Sequence, residues 1–439
     1  PSDIKYLNVI SSELVEIKIR TLQDDLSEVN LVVDKIGKVQ LKKSLTTFGF
    51  DYYTARLFHP SLVSLKTIEY YFELIDGTAK VNYPIDRKFT GSLQPKFYTP
   101  EWAKRIIWYQ IMLDRFCDGE PANNPPNTLP WTFDFAPNKK HPSERGKFYE
   151  IVWGRNFGGD LQGLIKKLPY LKELGIGGIY LTPVFESESY HKYNTADYRH
   201  IDDNFGIKSS AEELEKLQTE TEDPKTWIWT ETDKLFLEFL KQAHAVGIKV
   251  IIDGVFNHSG EDFFAFKDLK RNLQNSKYKN WYIVTDWEVF KRSANLGKGY
   301  VGWASFGGLP EYAEDDSGLV SGIKEHIFNI TRRWLDPNGD GDPSDGIDGW
   351  RLDVPDCIKQ QFWIDWCKLV KSINPEAYIV GELWSESPAW LTPELFHAQM
   401  NYPFARLLLN FIVDESLTPT QFDQSLHNLL NLYPLQVNF

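Results

Sequence analysis

Three observations predict an α/β chain built on a TIM-type (β/α)8 barrel and preceded by an all-β sandwich. After Pro100, apolar strands alternate with amphipathic helices, the pattern of a parallel sheet covered by helices. Polar residues gather at the C-terminal ends of those strands: Asp114, Asn257, His258, Arg351, Asp353 and Glu382. A barrel keeps its active site on that rim. No Gly-rich phosphate loop follows the first strand, which argues against a doubly wound nucleotide fold.

Residues 1–98 lack helical periodicity. Short β-rich runs at 14–20, 29–33, 52–57 and 67–75, separated by turns such as Asp76-Gly77-Thr78, suggest antiparallel sheets. From residue 99 to 439 the order changes. Strands are predicted at 106–116, 176–181, 248–256, 377–383 and 398–404, and within Gly346–Val354. Helices are predicted at 160–174, 233–246, 322–335, 362–372 and 420–432, the first two stopped by Gly175 and Gly247. Residues 259–321 are too many for a simple loop and read as an inserted subdomain. The strand–helix units number six, and Gln436–Phe439 opens like a seventh strand, so a full eightfold barrel is expected to extend past Phe439.

A chain of 439 residues exceeds one ordinary core. Its formal charge of −13 argues against nucleic acid or an anionic membrane as main partner. Cys117, Cys357 and Cys367 are too scattered for a disulfide framework or a zinc site. No apolar run approaches the roughly 20 residues that span a bilayer. A chain opening Pro1-Ser2-Asp3 without a leader fits a secreted or periplasmic protein already processed, or a cytoplasmic one. Aromatic residues make up 15%, and the flat C–H faces of sugars stack on such rings; an aromatic-rich core explains the same number.

Arg351 and Asp353 sit two apart within an otherwise apolar strand and so share a face. Burying either charge costs several kcal/mol, about as expected of a mutually satisfied pair or of a site. Glu382, at the end of the next strand, supplies a second carboxyl. Glycoside hydrolysis needs two such groups, one attacking the anomeric carbon and one protonating the leaving oxygen. Arg351 is expected to hold Asp353 ionised as the nucleophile, while Val380, Leu383 and Trp384 give Glu382 an apolar setting suited to an acid/base.

The segments Asp253-Gly254-Val255-Phe256-Asn257-His258, Gly349-Trp350-Arg351-Leu352-Asp353 and Gly381-Glu382-Leu383-Trp384 resemble, in order and spacing, three of the four hallmark segments of the α-amylase family of glycoside hydrolases. Pro100-Glu101-Trp102, Trp108-Tyr109-Gln110, Asp114-Arg115-Phe116, the run His191–Tyr198 and Met400–Phe404 are similar to its neopullulanase/cyclomaltodextrinase branch, and the β-rich front resembles that branch's starch-binding-type domain. The resemblance implies a retaining hydrolase of α-1,4-glucans (starch, maltooligosaccharides, cyclodextrins or pullulan), with a possible homodimer through the front domain. Asp353 would be the nucleophile, Glu382 the acid/base and Arg351 the residue orienting Asp353. His258, His191 and Tyr193 would bind the reacting sugar, Asp253 and Asn257 would support that shell, and Trp384 would lie toward the leaving group. A transglycosylase with the same intermediate, or a non-catalytic glucan-binding or scaffold protein, are the other readings; retention of the charged trio speaks against the last. The family's fourth segment, with a third Asp, is absent from these 439 residues, which are therefore expected to be impaired alone.

Two loops carry calcium-type oxygen patterns. Asp336, Asn338, Asp340 and Asp342 alternate as in the front of an EF-hand, but Ile347 stands where its twelfth-position Glu belongs, leaving Asp345 or Asp348 to close the loop. Asp118, Glu120, Asn123 and Asn124, with Gly158 and Asp160, resemble the branch's calcium site after the first barrel strand. An acidic solvated turn is the plain alternative for the first loop.

Overall fold

The computed structural model describes residues 6–9, 14–47, 49–93, 97–126, 128–130, 155–433 and 437. The chain divides into two compact units, Pro1–Thr99 with Leu383–Phe439, and Pro100–Glu382.

In the first unit, strands β1 (Leu7–Val9), β2 (Leu14–Leu22), β3 (Glu28–Val33), β4 (Gly37–Gln40), β5 (Lys42–Thr47), β6 (Phe50–Phe58), β7 (Thr67–Asp76), β8 (Ala79–Tyr83) and β9 (Phe89–Ser92) form two antiparallel sheets. Their orders are β1-β2-β6-β5 and β4-β3-β7-β8, with β9 on β7. Period-two burial explains the arrangement: Val15, Ile17 and Ile19 of one sheet and Val29, Leu31 and Val33 of the other enter a single apolar core.

The second unit is a parallel sheet. Strands β10 (Ile107–Ile111), β11 (Ile176–Leu181), β14 (Lys249–Gly254), β17 (Gly349–Leu352) and β18 (Tyr378–Gly381) are hydrogen-bonded in that order. Between β11 and β14 lies the hairpin β12 (Phe185–Glu186) and β13 (Asp197–Ile201), and β15 (Glu314–Asp315) pairs with β16 (Gly318–Leu319) in the insertion. Covering helices run Leu161–Glu173, Glu231–Ala245, Ser321–Leu335 and Gln360–Ile373. Each starts within two residues of the sequence expectation, and the first two are fixed there by local caps. Asp160 accepts from the Gly163 N–H, and Thr230 with Asp233 forms a capping box.

The strand expected at 398–404 is a correction. Only Ala398–Gln399 (β19) is extended, and a helix takes over at Tyr402–Ile412. Asn401 caps the Phe404 N–H and Pro403 sits in the first turn, where a missing amide proton costs nothing. The expected opening at Gln436–Phe439 falls on residues of which only Val437 is described.

A buried ionic staple ties the hairpin to two helices. Arg199 on β13 pairs with Asp197 and Glu220; His200 lies between Asp233 (2.8 Å) and Glu220 (2.9 Å); Arg333 reaches Asp233 at 3.3 Å. Asp197, His200 and Glu220 are close enough to suggest a metal site, yet Arg199 already supplies the cation there. Burial alone would depress the His200 pKa, but hydrogen bonds to Asp233 and Glu220 outweigh it and raise it to about 10. An elevated folded-state pKa stabilises fully below the unfolded value of 6.5 and is lost as pH rises through the folded one. The melting temperature should therefore fall between pH 6.5 and about 10 by more in the wild type than in His200→Gln, as read by circular dichroism.

Candidate active site

The parallel register sets the site. Asp253 and Arg351 are direct partners across β14 and β17, and their side chains share the face at the carboxyl ends of the strands. Backbone bonds continue past both strands: the Asp353 N–H donates to the Gly254 carbonyl (3.1 Å) and the Glu382 N–H to the Leu352 carbonyl (2.9 Å). Both acids are thus pinned by their main chains as well as by their side-chain contacts.

Arg351 binds all three carboxylates. Nη1 donates to Asp253 Oδ1 (2.8 Å) and Oδ2 (3.0 Å) and to Asp353 Oδ1 (2.9 Å), while Nη2 lies 2.9 Å from Glu382 Oε1. All four residues are largely buried. Burial alone would weaken the guanidinium's hold on its proton, but the charge of Asp253, with that of Asp353, holds it above its ordinary pKa.

One guanidinium faces three carboxyl groups. Burial and then the charge of Asp253 push the Asp353 carboxyl well up; Arg351 favours its ionised form, as expected, but does not offset them. Burial likewise raises Asp253. Glu382 also differs from expectation: its surroundings are polar, with Oε2 accepting from the Val354 N–H at 3.3 Å in addition to the Arg351 contact.

Two residues missed by sequence reasoning support this centre. Tyr180, on β11, donates its hydroxyl to Asp253 Oδ2 at 2.5 Å, beside Tyr193 at 3.2 Å. A tyrosine in a fully buried strand needs such a partner, and that was the available signal. Val354, directly after Asp353, adopts φ 34°, ψ 54°. The left-handed region is strained for a β-branched residue, and the strain aims its N–H at Glu382. Lys192 also has positive φ (60°), and its buried ammonium bonds Asp202 at 2.5 Å, fixing the turn between His191 and Tyr193.

His191 Nδ1 accepts from the Tyr193 N–H (3.1 Å), and burial lowers its pKa. Its Nε2 has no hydrogen-bond partner among the described residues and is open to a ligand. His258 is held differently. Burial depresses its pKa to about 4, so it is neutral, with Nε2 donating to the Tyr193 carbonyl (3.2 Å) and Nδ1 3.3 Å from Asn257 Nδ2. Both ring nitrogens are engaged by protein. The Trp384 ring is 55% exposed.

Both oxygen-rich loops hold buried oxygens without hydrogen-bond partners, though in the second only Asp345 Oδ1 does so. In the first barrel loop, Asp118 Oδ1, Asn123 Oδ1 and Asn124 Oδ1 are buried without hydrogen-bond partners. A Cβ on Gly158, whose φ is 79°, would come within 2.4 Å of Asn124 Oδ1, so only glycine fits beside it. Asp160 and Glu120 are used otherwise: Asp160 accepts from the amides of Gly119, Glu120 and Gly163, and Glu120 from that of Ala122. In the second loop Asp336, Asn338, Asp340 and Asp342 each accept from a nearby main-chain N–H. Asp348 does not close that loop; it turns to the Val250 N–H, Lys249 and His244.

A parallel β/α unit whose strand ends converge two acids and a supporting carboxylate on one arginine defines a glycosidase-type centre. The α-amylase catalytic-domain model matches residues 110–223 and 229–436. Neopullulanase 2 of Thermoactinomyces vulgaris is 36% identical over 98% of this chain and 68% of its own length. A cyclomaltodextrinase of Geobacillus thermopakistaniensis is 30% identical over 97% of this chain and 67% of its own. Among solved structures, the type III pullulan hydrolase from Thermococcus kodakarensis superposes with a TM-score of 0.79 at 26% identity, covering 99% of this chain and 70% of that one. The chain belongs to the α-amylase family of glycoside hydrolases.

Replacing Arg351 by Met should leave uncompensated buried carboxylates and cost about 3–5 kcal/mol near neutral pH. The loss should shrink as the pH falls and those carboxyls protonate; urea denaturation at two pH values measures both effects.

Proposed function

We propose that this chain hydrolyses α-1,4-glucosidic bonds in starch-derived oligosaccharides, cyclodextrins or pullulan, with retention at the anomeric carbon. The observation that carries the reading is the single guanidinium bridging Asp353 and Glu382 with Asp253 behind them. Relatives named for neopullulanase, cyclomaltodextrinase and pullulan-hydrolase activities support the substrate class.

Asp353 attacks the anomeric carbon and forms the glycosyl-enzyme ester. Arg351 keeps the attacking oxygen oriented and offsets its charge. Glu382 gives its proton to the leaving oxygen, then takes one from the water that cleaves the ester. Asp253 holds Arg351 in place and is itself fixed by Tyr180. Tyr193 presents its ring and His191 its free Nε2 toward the sugar, while His258 serves mainly to hold the Tyr193 main chain.

Asp353→Asn and Glu382→Gln should each reduce reducing-sugar release from cyclodextrin and pullulan by at least about 10³-fold. Because burial and Asp253 raise the Asp353 pKa, the acid limb of the wild-type rate profile should lie above the ordinary aspartate value of 3.8. Proton NMR of the first product should show the α-anomer; a β-anomer overturns the retaining assignment.

The proposal extends to a structural Ca²⁺ in the first barrel loop, held by Asp118, Asn123 and Asn124, whose orphaned buried oxygens match a hard cation. Asp336–Asp342 is the weaker candidate, because each side chain there already accepts from the main chain. A chelator should lower the melting temperature, and Asn124→Ala should abolish that sensitivity. An unchanged wild-type transition rules out a structural role for calcium.

A further inference from the structure

The rim of the first barrel strand supplies no group to the catalytic steps, yet it reaches His191 through a series of ring contacts. Arg115, in the turn after β10, is partly buried, and its Nε donates to Asp114 Oδ2 at 3.1 Å. Its guanidinium carbon lies over two rings at once, 4.4 Å from the Phe157 centroid and 4.8 Å from that of Tyr190. Tyr190 in turn meets the His191 imidazole edge to face, with centroids 5.1 Å apart and 86° between planes. The contacts run without a break from the first strand to the histidine.

The base of this series is rigid. Asp114 is buried, and its Oδ1 accepts from the Phe157 N–H at 3.0 Å and the Gly158 N–H at 3.3 Å, which fixes the segment bearing the Phe157 ring. A second guanidinium, that of Arg155, lies 3.6 Å from the Phe157 centroid. Tyr190 has no comparable anchor. Its hydroxyl meets no protein partner among the described residues, so ring contacts with Arg115 and His191 orient it. Around His191 the Tyr193 N–H and the Ser189 hydroxyl meet Nδ1 at 3.1 Å and 3.3 Å. Bonds at one nitrogen leave an imidazole free to tilt about them; packing by a neighbouring ring removes that freedom.

We propose that Arg115 is a positioning residue: by lying over the Phe157 and Tyr190 rings it holds Tyr190 against His191, and so aims His191 Nε2 at the reacting sugar. The inference rests on the α-glucan hydrolase reading. Arginine suits this task because its planar guanidinium stacks on aromatic faces, whereas the lysine ammonium is a hydrated point charge. Neutralising Asp114 would require only the charge.

The test is a double-mutant cycle read as kcat/KM on β-cyclodextrin. Arg115→Ala should lower it roughly tenfold in the wild-type background and by less than about twofold in His191→Ala. Arg115→Lys keeps the charge beside Asp114 without the plane, and should lose nearly as much as Arg115→Ala. It also carries the cycle if the alanine variant fails to fold. A similar loss in both backgrounds, or full activity in Arg115→Lys, overturns the proposal. Should the wild type leave β-cyclodextrin intact, the hydrolase reading fails instead. Deuterium exchange at the imidazole Cε1–H, read by mass spectrometry, then decides the positioning role without turnover. Exchange at His191 should be faster in Arg115→Lys than in the wild type, with His258 unchanged as the reference. Equal exchange at His191 overturns the proposal.

Discussion

One guanidinium holds three carboxylates together at the ends of adjacent strands. Without Arg351, Asp253, Asp353 and Glu382 would be like charges at close range in a low-dielectric pocket, and at least one would protonate or leave. The arrangement is tolerable because each charge has a direct partner and because the sheet ladder fixes the backbones. Burial first, and then the neighbouring charge of Asp253, raise the proton affinity of Asp353 against the pull of Arg351.

Rigidity around the centre comes from positions that are individually unfavourable. Val354 and Lys192 both sit in the left-handed region, each next to residues of the site. Such conformations cost about 1–3 kcal/mol each and persist only where the surroundings impose them. For Lys192 the imposing contact is a buried ion pair with Asp202; for Val354 it is the N–H on Glu382. The buried staple around His200 performs the same service for the hairpin that carries Lys192.

The two oxygen-rich loops differ in how their side-chain oxygens are used. Asp336–Asp342 has the fuller carboxylate pattern, yet each of its acidic and amide side chains accepts from a main-chain amide. Asp118, Asn123 and Asn124 carry less charge but leave three oxygens buried without donors, a costly state that a cation would relieve.

Both architectures, most element boundaries and the charged residues of the centre are legible in the sequence. They follow from local rules: hydrophobic period, caps, and the cost of placing Arg351, Asp353 and Glu382 in apolar strands. The same rules overextend the strand at 398–404, where a local cap and proline win within a few residues of a correct start. Other features exist only once the chain has folded: Tyr180 meets Asp253, Asp348 abandons the acidic loop, and Arg115 lies over the Tyr190 ring. The sign of the Asp353 shift belongs with them. Each depends on register between distant strands or on the sum of burial and several charges, quantities that no neighbouring stretch of sequence contains.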